Sequence, residues 1–165
     1  MTSAASTYDE IRKAFAFKRP TRYNFAAEVV DKWAAKDPSQ RALLWTDDSG
    51  RVEERTFDQV SEASRRVANV LQDGGVKRGD TVIVILSRQV AWWEVITACL
   101  RMGAVVSPGT TQLSAKDIAY RINAAGAAAV VTDPVIAEKV DRVAADCPTL
   151  SLKVMIEGVR DGWVA

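Results

Sequence analysis

The side chains that most often carry covalent chemistry are scarce in this chain. It contains no histidine, and its two cysteines, Cys99 and Cys147, stand far apart. A Ser-His-Asp relay is excluded, and no paired-ligand spacing for a metal is present, so the expectation is no catalytic triad and no metal site. Cys99 sits inside an apolar helical run, where a thiol packs rather than reacts. Binding chemistry is what remains. Ser107-Pro108-Gly109-Thr110-Thr111 follows an apolar run and offers hydroxyls and a glycine, the ingredients of a loop that holds phosphate on backbone N–H groups. Such loops usually carry several glycines and a lysine, whereas Gly109 stands alone here and no lysine occurs between it and Lys116. A strand-to-helix turn capped by Ser114 is the better reading. Gly74, Gly75 and Gly79 do not form the Gly-x-Gly-x-x-Gly turn of a dinucleotide site, which disfavours a nicotinamide enzyme.

Trp92 and Trp93 are the other conspicuous pair. On one helix adjacent residues project about 100 degrees apart, so the two indoles cannot face one groove squarely. One is expected in the core, and the other either lines an apolar pocket or meets another segment. Arg88 and Glu94 read as surface or inter-element contacts, since neither belongs to a catalytic constellation.

These residues need elements to position them. Phe25, Val29, Val30 and Trp33 form a helical stripe over Asn24 to Lys36, with Asn24 as cap and Asp37-Pro38 as stop. Arg41–Thr46 and Arg51–Thr56 flank Asp47-Asp48-Ser49-Gly50, which predicts a hairpin. Thr56 and Gln59 have the form of a capping box before a helix that stops at Gly74-Gly75. Thr81–Leu86 is an apolar, β-branched run of the kind covered on both faces. A helix over Val90–Met102 ending at Gly103, a strand at Ala104–Ser107, a helix from Ser114 to about Asn123 and a strand at Ala128–Thr132 follow. Asp133-Pro134 opens another helix, and Thr149–Ile156 reads as a last strand. The alternation predicts an α/β fold: a mostly parallel sheet with flanking helices and right-handed crossovers, preceded by an antiparallel hairpin.

The 165 residues are 48% hydrophobic, enough for one domain with its own core. With 22 basic and 21 acidic residues the formal charge is +1, which gives no field for nucleic acid or acidic lipid. No apolar run approaches the roughly 20 residues that span a bilayer. Arg12, Lys13, Lys18, Arg19 and Arg22, with Ser3, Ser6 and Thr7, have some character of a targeting presequence. Asp9 and Glu10 and the lack of an apolar core argue against one, and a reduced, cytoplasmic protein is expected.

The run from Trp92 to Gly103, the segment Val105 to Leu113 and Asp117-Ile118-Ala119-Tyr120-Arg121 together resemble the N-terminal domain of adenylate-forming (AMP-forming) acyl-CoA synthetases. Within that superfamily the likeness is to the medium-chain acyl-CoA synthetases, with their Glu-Trp-Trp helix, Pro-Gly-x-x-Gln loop and Asp-x-x-Tyr-Arg helix. It extends from Tyr23-Asn24-Phe25-Ala26 through Ala68-Asn69-Val70-Leu71, Gly79-Asp80 and Asp141 to Pro148, up to Asp161-Gly162-Trp163. The resemblance implies an N-terminal extension over residues 1–23 and an incomplete N-terminal domain of the synthetase fold over 24–165.

It also implies a reaction in which the full-length parent joins a carboxylic acid to ATP with Mg2+ and passes the acyl group to CoA. The matching glutamine of such enzymes lies at the CoA site, which assigns that contact to Gln112, with Thr110 and Thr111 as lesser neighbours. A neutral amide donates and accepts hydrogen bonds without the desolvation cost of a charge. Trp92 or Trp93 is the candidate for substrate-pocket wall. The family's Gly-rich, lysine-terminated ATP loop, its acidic Mg2+ residues and its C-terminal catalytic lysine find no counterpart before Ala165. A fragment inactive alone, with no cofactor of its own, is therefore expected. The alternatives are a stand-alone non-catalytic α/β binding or assembly module and a small nucleotide-binding domain of flavodoxin-like topology. Unpaired sheet edges predict marginal solubility for the isolated chain.

Overall fold

The computed structural model describes residues 7–17 and 19–165; Ser3, Ser6 and Lys18, which bear on the presequence reading, lie outside them. The first element is one the sequence reading passed over. Helix α1 (Tyr8–Ala14) is opened by a capping box in which Thr7 accepts from Glu10 N and the Glu10 carboxylate accepts from Thr7 N at 2.8 Å. None of its residues is buried.

The expected helix over Asn24–Lys36 forms, but not as one α-helix. It starts with a π-helical turn, Ala26–Asp31, and continues as α2 (Lys32–Lys36). Tertiary contacts flank the widened turn. Asn24 Oδ1 accepts from Ala27 N at 3.2 Å, while its Nδ2 donates to the carbonyls of Leu100 and Arg101 at 2.9 and 3.0 Å. Asp31, at the other end of the turn, is held by Arg101 as well. Both ends of the segment are thus pinned to the same distant site around Leu100 and Arg101.

The hairpin pairs β1 (Arg41–Thr46) with β2 (Val52–Thr56), Leu44 facing Glu54 and Trp45 facing Glu53. Asp47 closes it, its Oδ1 accepting from Ser49 N and Arg51 N at 2.9 and 3.0 Å. The Thr56–Gln59 capping box then starts α3 (Phe57–Asp73). Gly75, at φ +94°, makes the left-handed turn that lets the chain leave the helix.

Strand β3 (Thr81–Ile85), α4 (Val90–Met102), β4 (Val105–Pro108), α5 (Ala115–Ala125), β5 (Ala129–Thr132), α6 (Pro134–Asp141) and β6 (Leu152–Met155) alternate as expected. The four strands form a parallel sheet in the order β4-β3-β5-β6. Strands β2, β3 and β5 are each one residue shorter than expected, and β4 and β6 differ at both ends. β4 runs one residue later than expected and ends on Pro108, which an edge strand tolerates because no partner needs its N–H. β6 is shorter than Thr149–Ile156 because Leu150 N is spent on the carbonyl of Cys147 in a turn.

The sheet is covered on both faces, which is why β3 is a continuous apolar run. Val82 and Val84 face α3 and α4 with Leu71, Val95 and Cys99, whereas Ile83 and Ile85 face α5 and α6 with Ile118, Ile122, Ile136 and Val140. Burial pushes the Cys99 thiol up to about 12, which keeps it an inert packing group. Beyond β6, Asp141 accepts from Lys153, Arg160 and Trp163 at 2.7, 2.6 and 3.0 Å, and Val164 bridges Val154 in the parallel sense. Among the described residues no helix is long and apolar enough to cross a membrane.

Candidate functional site

Chain direction brings two loops to the same end of the sheet. The segment after β3, Leu86–Gln89, and the segment after β4, Gly109–Leu113, both leave the C-terminal ends of neighbouring parallel strands. In open α/β sheets that end is where ligands bind.

The first loop borders a groove of about 820 Å³ between hairpin and helix. Its walls include Leu43, Leu44, Trp45, Leu86, Trp92 and Trp93, with Arg88 among its polar lining. Trp45 is the tie across it: its indole N–H donates to the carbonyl of Arg88 at 2.7 Å, and the Arg51 guanidinium lies 5.0 Å from its ring centroid. A second tie runs from Arg55 of β2 to Glu94 of α4 at 3.4 Å. Glu94 is thereby an inter-element contact, as read from the sequence. Arg88 contributes its backbone to the tie and its exposed side chain to the groove.

The tryptophan pair follows the expected division of burial, although Trp92 also reaches the groove. Both indoles line the groove. Trp92 packs against the core at the same time, while Trp93 is 50% exposed. Their rings meet edge to face, with centroids 4.8 Å apart and planes at 79°. Leu43, Leu44 and Trp45 of the hairpin line the opposite side of the same groove.

The second loop is built around Gly109. Its N–H donates to the carbonyl of Val84 at 2.8 Å, and an added Cβ would come within 3.0 Å of Leu113 and 3.1 Å of Ile85. The glycine is needed for close packing of the loop on β3, so it does not leave a cradle for phosphate. Ser114 caps α5 in a reciprocal box with Asp117, whose carboxyl the Ser114 hydroxyl holds below the usual range. Thr110 and Gln112 are exposed and Thr111 is half-buried. Thr110 Oγ1 accepts from Gln112 N at 3.3 Å, and Gln112 is exposed.

One residue of this loop's support is not apparent from the sequence. Lys139 of α6 donates from Nζ to the carbonyls of Thr111 and Leu113, at 3.2 and 2.9 Å. No local pattern marks it, because the partners lie 28 and 26 residues away. Trp45 was likewise only a strand residue until its bond to Arg88 appeared.

The remaining polar cluster is closed. Arg101 forms two bonds of 2.8 Å to the two carboxylate oxygens of Asp31, which also accepts from Ser61 at 2.6 Å, and Ser64 takes the guanidinium Nε at 3.1 Å. The Arg101 bonds hold the Asp31 carboxyl well below the usual carboxylate range. Every group in it is committed to another, which marks a structural joint. Among the described residues no set of three His, Cys, Asp or Glu could hold a metal ion. With Gly109 filled by its own neighbours, this loop does not offer a cradle that fits a triphosphate.

The sequence pattern of the family described as AMP-binding enzyme matches residues 30–164. The human mitochondrial acyl-coenzyme A synthetase ACSM3 is 39% identical over 96% of this chain, and rat mitochondrial ACSM4 is 40% identical over 88% of it. The chain spans 28% and 26% of the length of these two relatives. An acyl-CoA synthetase from Brucella canis superposes with a TM-score of 0.81 at 25% identity, covering 97% of this chain and 31% of that one. An anthranilate CoA ligase, AuaEII, crystallised with anthranoyl-AMP, shares the fold at a TM-score of 0.77 and 22% identity, over 89% of this chain and 27% of that one. With its strand order, its loops at the carboxyl ends of the strands and a family match over most of its length, the chain belongs to the AMP-binding enzyme family.

Proposed function

We propose that this chain is the front portion of an AMP-forming acyl-CoA synthetase that activates a medium-chain carboxylic acid with ATP and transfers the acyl group to CoA. The observation that carries the reading is the placement of Gln112, exposed on a loop at the carboxyl end of the sheet, in a chain whose relatives are named acyl-coenzyme A synthetases. In this reading residues 24–165 are part of the N-terminal domain, residues 1–23 extend it, and Gln112 touches CoA, with Thr110 and Thr111 beside it. The groove of Trp92 and Trp93 supplies apolar wall for the acid's tail. ATP and Mg2+ are held by other segments of the longer protein, and the chain alone is inactive.

The test is acid-dependent ATP–pyrophosphate exchange and thioester formation by the full-length enzyme containing this chain. Gln112→Ala is expected to raise the CoA requirement and leave exchange nearly intact; equal loss in both half-reactions rejects the assignment. A second reading is favoured by the open aromatic groove, which also suits a non-catalytic binding or assembly module. Absence of exchange in the longest native product, with a stable complex isolated through the groove face, would select it.

The compartment belongs to the same reading. Asp9 and Glu10 support a cytoplasmic enzyme, whereas the relatives' names place those proteins in mitochondria. Fractionation of the C-terminally tagged protein decides between them.

A further inference from the structure

We propose that Lys139 is a positioning residue for Gln112 and, through it, for the transfer of the acyl group to CoA. The inference rests on the assignment of Gln112 to CoA. Lys139 approaches from α6, a different element from those that carry the loop, and its ammonium group bonds the carbonyls on both sides of Gln112, at 3.2 Å to Thr111 and 2.9 Å to Leu113. The rest of the loop is fixed only at its ends. Gly109 is seated on β3 through its N–H and its close packing, and Ser114 is locked by Asp117. Between these anchors, the local bonds are long, 3.3 Å for Gln112 N to Thr110 Oγ1 and 3.3 Å for Leu113 N to the Thr110 carbonyl.

An ammonium group is suited to this task. It carries three donors on a flexible stem, and charge-assisted bonds to carbonyls are stronger than neutral ones. Two carbonyls held by one nitrogen fix the Thr111–Gln112 peptide plane that precedes Gln112 and the Leu113–Ser114 plane one unit beyond it, and so limit the backbone rotation left to Gln112 between them. The side chain of Gln112 is then presented without first freezing the loop, so less ordering entropy is lost when ligand binds.

Two measurements test the proposal on the full-length enzyme. Hydrogen exchange of the Thr111–Leu113 amides is expected to accelerate in Lys139→Met and to return toward the parent rate in Lys139→Arg. In steady-state assays, Lys139→Met is expected to raise KM for CoA about tenfold, the scale of a small misplacement of a binding group. KM for the acid and for ATP should stay unchanged in pyrophosphate exchange. Adding Gln112→Ala to Lys139→Met should cost little more than either change alone, because both act through one contact.

Unchanged exchange in Lys139→Met overturns the clamp. Accelerated exchange with a parental KM for CoA, while Gln112→Ala does raise it, overturns the positioning role. If Gln112→Ala itself leaves KM for CoA at the parental value, the CoA assignment falls and takes the inference with it. Lys139→Arg retains the charge and the reach, so a folding failure confined to Lys139→Met does not leave the question open.

Discussion

The two ends of α4 are built from similar materials to opposite effect. At its C-terminal end Arg101 is paired with Asp31, Ser61 bonds the same carboxylate, Ser64 takes the remaining guanidinium nitrogen, and Asn24 covers the last carbonyls. At its N-terminal end, Arg88, Trp92 and Trp93 border an open groove, and the hairpin is tied on mainly by Trp45 and by Arg55 to Glu94. A polar group whose partners are all internal serves the fold. Groups left uncommitted beside an apolar wall are free to serve a ligand. The contrast separates an arginine that is part of the architecture from one that is part of a surface, although nothing in their immediate sequence distinguishes them.

The largest effect should come from breaking the closed end. Arg101→Met leaves the Asp31 carboxylate without its bidentate partner at a site where its side chain is 25% exposed. Urea denaturation should show a loss of about 2–3 kcal/mol, below the full cost for a deeply buried charge. The pH dependence sharpens this point. Asp31 is held below its ordinary value in the folded state, so its stabilisation is complete above that value, declines as pH falls through it, and disappears once the folded carboxyl is protonated. Acid titration of stability should therefore be shallower in Arg101→Met than in the parent.

The open end should respond less. Trp45→Phe keeps most of the ring but removes the 2.7 Å bond to the Arg88 carbonyl. The expected cost is about 1 kcal/mol in a urea melt, with faster hydrogen exchange between Leu86 and Val90. Trp93→Ser should cost about 1 kcal/mol in folding, well below Arg101→Met, because the residue is already half exposed although its edge-to-face contact with Trp92 is lost. Its expected signature is a higher KM for the acid in the full-length enzyme. Glu94→Gln breaks a 3.4 Å ion pair with Arg55 and should cost below about 1 kcal/mol, an effect that salt reduces further. If Trp93→Ser destabilised the fold as much as Arg101→Met, the contrast between the two ends would collapse.

The difference between the two arginines also measures what was legible beforehand. Thr56 with Gln59, Ser114 and Asp133-Pro134 marked three helix starts, because capping is a contact over three residues and so is written locally; that Asp117 completes the Ser114 cap was seen only in the structure. The same signal at Thr7 and Glu10 was present and unread, which is why α1 was passed over. Gln112 was singled out by resemblance alone; its exposure and fixed loop support the assignment without testing it. Helical rotation predicted unequal burial for Trp92 and Trp93, which holds, with Trp92 packed on the core and Trp93 half exposed; that Trp92 also borders the groove depends on the hairpin, whose position the local sequence does not encode.

By itself, the sequence determined the alternation of strands and helices, the two-sided burial of β3 and the helix caps, because each depends on residue type at short spacing. It also excluded a histidine-dependent relay, since that chemistry needs a side chain the chain lacks. Tertiary structure decided which polar groups are spent and which are free. Arg101 finds Asp31 across 70 residues, Trp45 finds the Arg88 carbonyl across 43, and Lys139 finds the carbonyls beside Gln112 across 28 and 26. Such contacts leave no periodic trace in the sequence, because they are set by where the packed sheet carries each chain end and not by any neighbour along the chain.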